Sequence, residues 1–211
     1  MNLKWDMRRR IKALDARRNP AHTRGRRIGD GFRAATILSV GVAAIWLGIA
    51  EVIGFAVVAV GLMIPRLSRL AGPFDAAFCA TIFLASWSSV VSLYAAITWW
   101  DIIVHFVTAG SSAAVLFLLL ARAEITPGSA LGKALPGRSI VVMTFAFGVT
   151  VAVLWEIFEW AGNAFISKEI HVGYIDTLLD IAVGGAGAIV AGLLLARWKD
   201  PASAIQSLAE Q

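Results

Sequence analysis

Charged residues are scarce in this chain. They make up 16% of its 211 residues, against roughly a quarter in an average soluble domain, while apolar residues reach 58%. That balance excludes a water-soluble globule as the first reading. Cysteine is almost missing too: Cys79 stands alone, so no intramolecular disulfide forms and paired-cysteine metal motifs are ruled out. There is no collagen-type glycine period, no Gly-x-Ser-x-Gly elbow, no phosphate-cradling glycine loop and no dinucleotide fingerprint, which removes the common chemistries such motifs announce. No tandem repeat and no separate soluble domain are visible.

The basic surplus is local. Residues 1–33 hold 11 basic residues and only three acidic ones, Asp6, Asp15 and Asp30, whereas the remainder has 8 basic against 11 acidic. A basic head ahead of apolar segments reads as a cytoplasmic anchor facing anionic lipid, where each cation contributes about 1 kcal/mol near the surface. Nucleic acid is not expected as a partner, since no stacking aromatics or binding fold accompany the charges. A cleavable signal peptide is not expected either, because the apolar run starts too late and runs too long.

Crossing a bilayer takes about 20 mostly apolar helical residues. Four runs qualify directly: 74–98, 101–121, 139–163 and 175–196. The run 34–64 reads as one overlong helix or as two short ones turning near Ile49 to Phe55, and charge decides. Two helices give six spans and place 18 of 19 basic residues on the cytoplasmic side, leaving only Lys168 outside. One helix would export Arg66, Arg69, Arg122, Lys133, Arg138, Arg197 and Lys199, against the positive-inside bias. The expected fold is therefore all-α, a polytopic membrane bundle of six transmembrane helices with both termini cytoplasmic. Its organisation is a basic head over 1–33, partly disordered or interfacial, a transmembrane domain over 34–198 and a short tail over 199–211. The last span is rich in small residues, Gly184, Gly185, Gly187, Ala188 and Gly192, which permit close helix approach in lipid.

Ionisable groups inside membrane helices are costly, by roughly 2.5 to 3.5 kcal/mol each on insertion scales, so those that remain call for a reason. Asp101 and His105 lie at i and i+4, Glu156 and Glu159 at i and i+3, and Asp176 and Asp180 at i and i+4, each pair on one helix face. In the six-span topology all three pairs fall at the outer end and at similar depth, where three helices can gather them into one pocket. Five carboxylates and one imidazole cannot stay ionised together in a partly dry site without compensation. Either several acids are protonated or the pocket holds one or two divalent metal ions. In the metal reading His105, Glu156, Glu159, Asp176 and Asp180 are the ligands and Asp101 orients His105. The oxygen-rich set suits Mg²⁺, Mn²⁺, Ca²⁺, ferrous iron or Zn²⁺.

Blander readings stand beside this one. Asp101 and Asp176 are also typical helix N-caps. Glu159 can sit in headgroup water, and His105 can be a satisfied polar group between helices. Glu51 marks the turn between the first two spans or joins the site from the same side. Asp75 begins the third span at the inner surface, and Cys79 is buried and inert. His171 and Tyr174, in the loop 164–174, are surface residues or close over the pocket. Trp99, Trp100, Trp155 and Trp160 fit an interfacial aromatic belt.

The run from Trp100 to Phe106, with Asp101 and His105, followed by Glu156-Ile157-Phe158-Glu159-Trp160 and Asp176-Thr177-Leu178-Leu179-Asp180, resembles the signature of YjdF-like bacterial inner-membrane proteins. The likeness covers roughly residues 94–198 and implies a multi-pass inner-membrane protein of uncharacterised function. A looser similarity extends to VanZ-like membrane proteins, which differ by a Gln where Glu159 stands and an Asn where Gly184 and its neighbours stand.

Two classes of function follow. One is a metal-binding membrane protein whose outward pocket performs hydrolytic or transfer chemistry on an envelope lipid or lipid-linked substrate. The other is a proton- or ion-coupled small transporter in which the same acids titrate. A non-catalytic membrane assembly subunit is a third reading. The lipid bilayer is a partner in all of them.

Overall fold

A computed structural model describes residues 20–123, 125–126, 135–165 and 172–198; they are helical apart from short connections, with no strand among the described residues. The long run around residues 34–64 is divided. Helix α1, Pro20–Trp46, is followed by α2, Ile49–Leu67, with only Leu47 and Gly48 between them. Gly48 is fully extended, which reverses the chain without a longer loop. The turn thus comes slightly earlier than expected, and Glu51 lies in the first turn of α2. The last 14 residues of the basic head, from Pro20 to Arg33, are continuous with α1.

The expected single span over 74–98 does not form. Helix α3, Gly72–Val90, stops short; Ser92 takes a left-handed conformation (φ 57°) and a four-residue turn of helix, α4, Leu93–Ala96, follows. Near this end Ser86 and Ser88 turn their hydroxyls back onto the carbonyls of Ile82 and Leu84 at 2.8 and 2.7 Å. The other three runs become α5, Trp100–Arg122, α6, Gly137–Phe165, and α7, Tyr174–Arg197, each within two residues of its expected ends. Five helices are long and apolar enough to cross a membrane: α1 from Ala21, α2, α5, α6 and α7.

The helices form two groups. α1, α2 and α3 pack together, α5, α6 and α7 pack together, and α3 lies against α5 to join them. Small residues let the second group close up. A methyl group added at Gly187 would overlap the Phe106 carbonyl, one at Gly110 would come within 2.7 Å of the Gly187 oxygen, and one at Gly148 would strike Ala188. Lipid tails are as apolar as leucine, so such backbone proximity and dispersion supply what hydrophobic burial supplies in water. Outward-facing Leu38, Ile45, Val60, Leu67 and Phe158 are correspondingly exposed.

The first group closes differently. Arg33 is buried to 4% exposure on α1; its Nε donates to the Leu62 carbonyl at 2.8 Å and its guanidinium pairs with Asp75 of α3 and with Asp30. Arg66 donates to the same Asp30 at 2.8 Å. Asp75 therefore does more than begin α3: it is 1% exposed and locks three helices together. Cys79 is fully buried beside it, its thiol 3.8 Å from Asp75 Oδ1.

Charge separates along the bundle. The described Arg residues, Arg24, Arg26, Arg27, Arg33, Arg66, Arg69, Arg122, Arg138 and Arg197, sit at or near the helix ends where the chain enters α1, turns from α2 to α3, leaves α5, enters α6 and leaves α7. The opposite end carries Glu51, Asp101, Glu156, Glu159, Asp176 and Asp180. Lys133, Lys168, His171 and the terminal stretches 1–19 and 199–211 lie outside the described residues. Breaking the buried pair leaves an uncompensated charge, so Asp75→Ala is expected to cost about 3 to 5 kcal/mol of stability, while the double change Arg33→Met with Asp75→Leu costs much less. Thermal unfolding of the purified variants in detergent checks the order.

Candidate functional site

Three helix ends build the acidic pocket. On α5, Asp101 is the second residue and His105 lies one turn further in. Neither Asp101 nor Asp176 caps its helix, since the capping positions are Trp99 and Gly173 and no side-chain cap bond forms. Both lie in first turns, where the exposed amide ends favour a carboxylate. Asp101 uses this position to reach His105, with Oδ1 at 3.3 Å from Nε2.

His105 is the hub. It is 4% exposed, and its two ring nitrogens face different helices. Nε2 lies 3.3 Å from Asp101 and 3.9 Å from Asp180 of α7, while Nδ1 lies 4.0 Å from Glu156 Oε1 of α6. Two groups of donor atoms result, Asp101 with His105 and Asp180, and His105 with Glu156 and Glu159, the atoms of each lying within 4.8 Å of one another. Below them the floor is made of the smallest side chains: a methyl at Gly184 would stand 3.0 Å from Ala109 and 3.2 Å from Ala152, one contact on each neighbouring helix. That close approach brings acids on three helices into range of one imidazole.

The pocket is unevenly satisfied. Glu156 is 8% exposed, and its Oε1 is buried without a hydrogen-bond partner. Buried carboxylate oxygens are seldom left so, because the unmet desolvation is expensive. Glu159, one turn along α6, accepts 2.8 Å from the indole Nε1 of Trp155, whose ring is 47% exposed. Trp155, expected only as part of an aromatic belt, thus also holds a site carboxylate. No described Lys or Arg lies at this end of the bundle.

Of the six expected site residues, His105, Asp101, Glu156, Glu159 and Asp180 come together. Asp176 sits one turn further out on α7 and belongs to neither donor group. Glu51 also stays apart: its carboxylate folds over Gly48 at the turn between α1 and α2, and α2 packs on α1 and α3. Tyr174 begins α7 and is exposed. No sequence pattern singles out Tyr94. Read as part of one continuous span it had no special place, yet the break after Val90 sets it beside the pocket, where burial and the neighbouring Asp101 and Glu159 carboxylates push its phenol up from the ordinary value. Trp100 is tied down as well, its Nε1 donating to Ser88 Oγ at 2.9 Å and fixing the start of α5 against α3.

The family model described as "Predicted membrane protein (DUF2238)" matches residues 32–201. The chain belongs to the DUF2238 family. That match agrees with the YjdF-like reading of the motifs and carries nothing for the VanZ-like one. It also reaches back to Phe32, so DUF2238 membership takes in α2 and α3, which hold none of the quoted motifs. No curated protein and no solved structure matches the chain.

Replacing Glu156 by Gln supplies an amide donor where the unpartnered oxygen stands. In chelator-treated protein Glu156→Gln is expected to raise stability by about 1 to 3 kcal/mol, read as a higher unfolding temperature. A lowered temperature would mean that the oxygen is satisfied by other means.

Proposed function

We propose that this protein crosses the bacterial inner membrane six times, with both termini in the cytoplasm, and binds one or two divalent cations in its outer-end pocket. There it performs hydrolytic or transfer chemistry on an envelope lipid-linked substrate. The unpartnered, buried Oε1 of Glu156 carries the metal reading. It faces His105 Nδ1 across 4.0 Å, with Glu159 completing the group, and a cation between them would satisfy all three donors. Asp180 and Asp101 bracket the other ring nitrogen, and Asp176 extends the acidic set outward along α7.

Charge balance favours the same reading. Four gathered carboxylates with no neighbouring Lys or Arg among the described residues need protons or cations, and an oxygen-rich set with one nitrogen suits hard or borderline divalent ions. A cation held there by His105, Glu156 and Glu159 would supply Lewis-acid polarisation of an ester or phosphoester oxygen and activation of water. The lipid-linked character of the substrate is supported by the setting: Trp155, Phe158 and Trp160, close to Glu159 along α6, are exposed apolar surface of the kind an acyl chain would cover. The sixth crossing in this reading is α3, a 19-residue helix that packs against α1 and α5.

Elemental analysis of purified protein beside Glu156→Ala and Asp180→Ala tests the proposal. Bound divalent ion in the parent and its loss in both variants is the expected result. Equal metal content in all three overturns it. Proton-linked flux in liposomes that vanishes in Glu156→Gln would instead favour the carrier reading.

A further inference from the structure

At the opposite end of the bundle the turn between α2 and α3 gathers more positive charge than it neutralises. Arg66 ends α2, and Arg69 follows it within the turn. Arg26 of α1 is brought alongside because Gly25 packs directly on Gly72, and it lies within electrostatic reach of Arg66 and Arg69. From α5, Arg122 reaches over to donate 3.0 Å to the Arg69 carbonyl. Among the described residues two carboxylates stand with these groups, and both are engaged: Asp30 by Arg33 and Arg66, and Asp75 by Arg33.

Arg69 has an unusual backbone. Its φ is 53°, the left-handed region, and the turn closes as a Schellman motif, with the Leu70 amide bonding the Pro65 carbonyl at 3.0 Å and the Arg69 amide bonding Arg66 at 3.1 Å. Glycine is the residue this position favours, and an arginine here is strained. A strained arginine at a site already rich in arginine indicates that its side chain has a use. Directly outward along α2, Val57, Val60, Ile64 and Leu67 form an apolar seam at helical spacing, 66%, 73%, 50% and 78% exposed.

Charge above an apolar seam is the complement of an anionic phospholipid. We infer that the α2–α3 turn is a binding site for one, with its phosphate held among Arg26, Arg69 and Arg122 and an acyl chain laid along Val57, Val60, Ile64 and Leu67. The site lies away from the acidic pocket and does not depend on its chemistry.

Native mass spectrometry of the full-length protein, exchanged into mixed phosphatidylglycerol and phosphatidylcholine, tests this. The parent retains phosphatidylglycerol in preference, and excess inorganic phosphate does not displace it. The preference falls about fivefold in Arg26→Gln and again in Arg69→Gly, as expected for a cation near an anionic headgroup. Arg69→Gly at the same time unfolds at a higher temperature, because glycine relieves the left-handed backbone; loss of lipid in a more stable protein separates binding from folding. Arg197→Gln, at the same end of the bundle on α7, keeps the preference. Unchanged preference in both α1 and turn variants, an equal loss in Arg197→Gln, displacement by free phosphate, or a doubled mass without retained phospholipid would each overturn the inference.

Discussion

Closeness of backbones is the constraint on which the acidic end depends. In lipid nothing squeezes helices together by excluding water, so their separation is set by what lies between them. Between α5 and α7 there is almost nothing: Gly187 rests on the Phe106 carbonyl and Gly110 on Gly187. Ala109, Ala152 and Gly184 continue the contact to α6. Ordinary side chains in these places would push the axes apart, and His105 would lose contact with Glu156 on one side and Asp180 on the other. The glycine-rich character of α7 is thus a requirement of the pocket as much as of packing.

The two helix groups handle buried charge in opposite ways. Around Arg33 every strong donor has a partner: the guanidinium meets Asp75, Asp30 and the Leu62 carbonyl, and the set holds three helices together. Around His105 there are more acceptors than donors, and one buried carboxylate oxygen has no partner. A closed network stiffens a fold; an open one leaves an affinity unspent. The contrast within one chain sets a satisfied network at one end against an unsatisfied one at the other.

Much of this was legible in the residues. Long apolar runs gave α5, α6 and α7 to within two residues, and basic residues chose correctly between one helix and two over residues 34–64. Spacing of i and i+3 or i+4 put the site acids on shared faces, and all but Asp176 meet. What could not be read is equally specific. The end of α3 at Val90, with Ser92 in the left-handed region, falls inside an unbroken apolar run that counting cannot divide. The Arg33–Asp75 pair joins residues 42 apart, and no local pattern announces it. Tyr94 and the Trp155 bond to Glu159 need the three-dimensional arrangement.

The brevity of the link between α1 and α2 makes them a single unit. With two residues between them, neither helix can shift or turn without carrying the other, and Glu51, its carboxylate folded back over Gly48, stays at the tip they share.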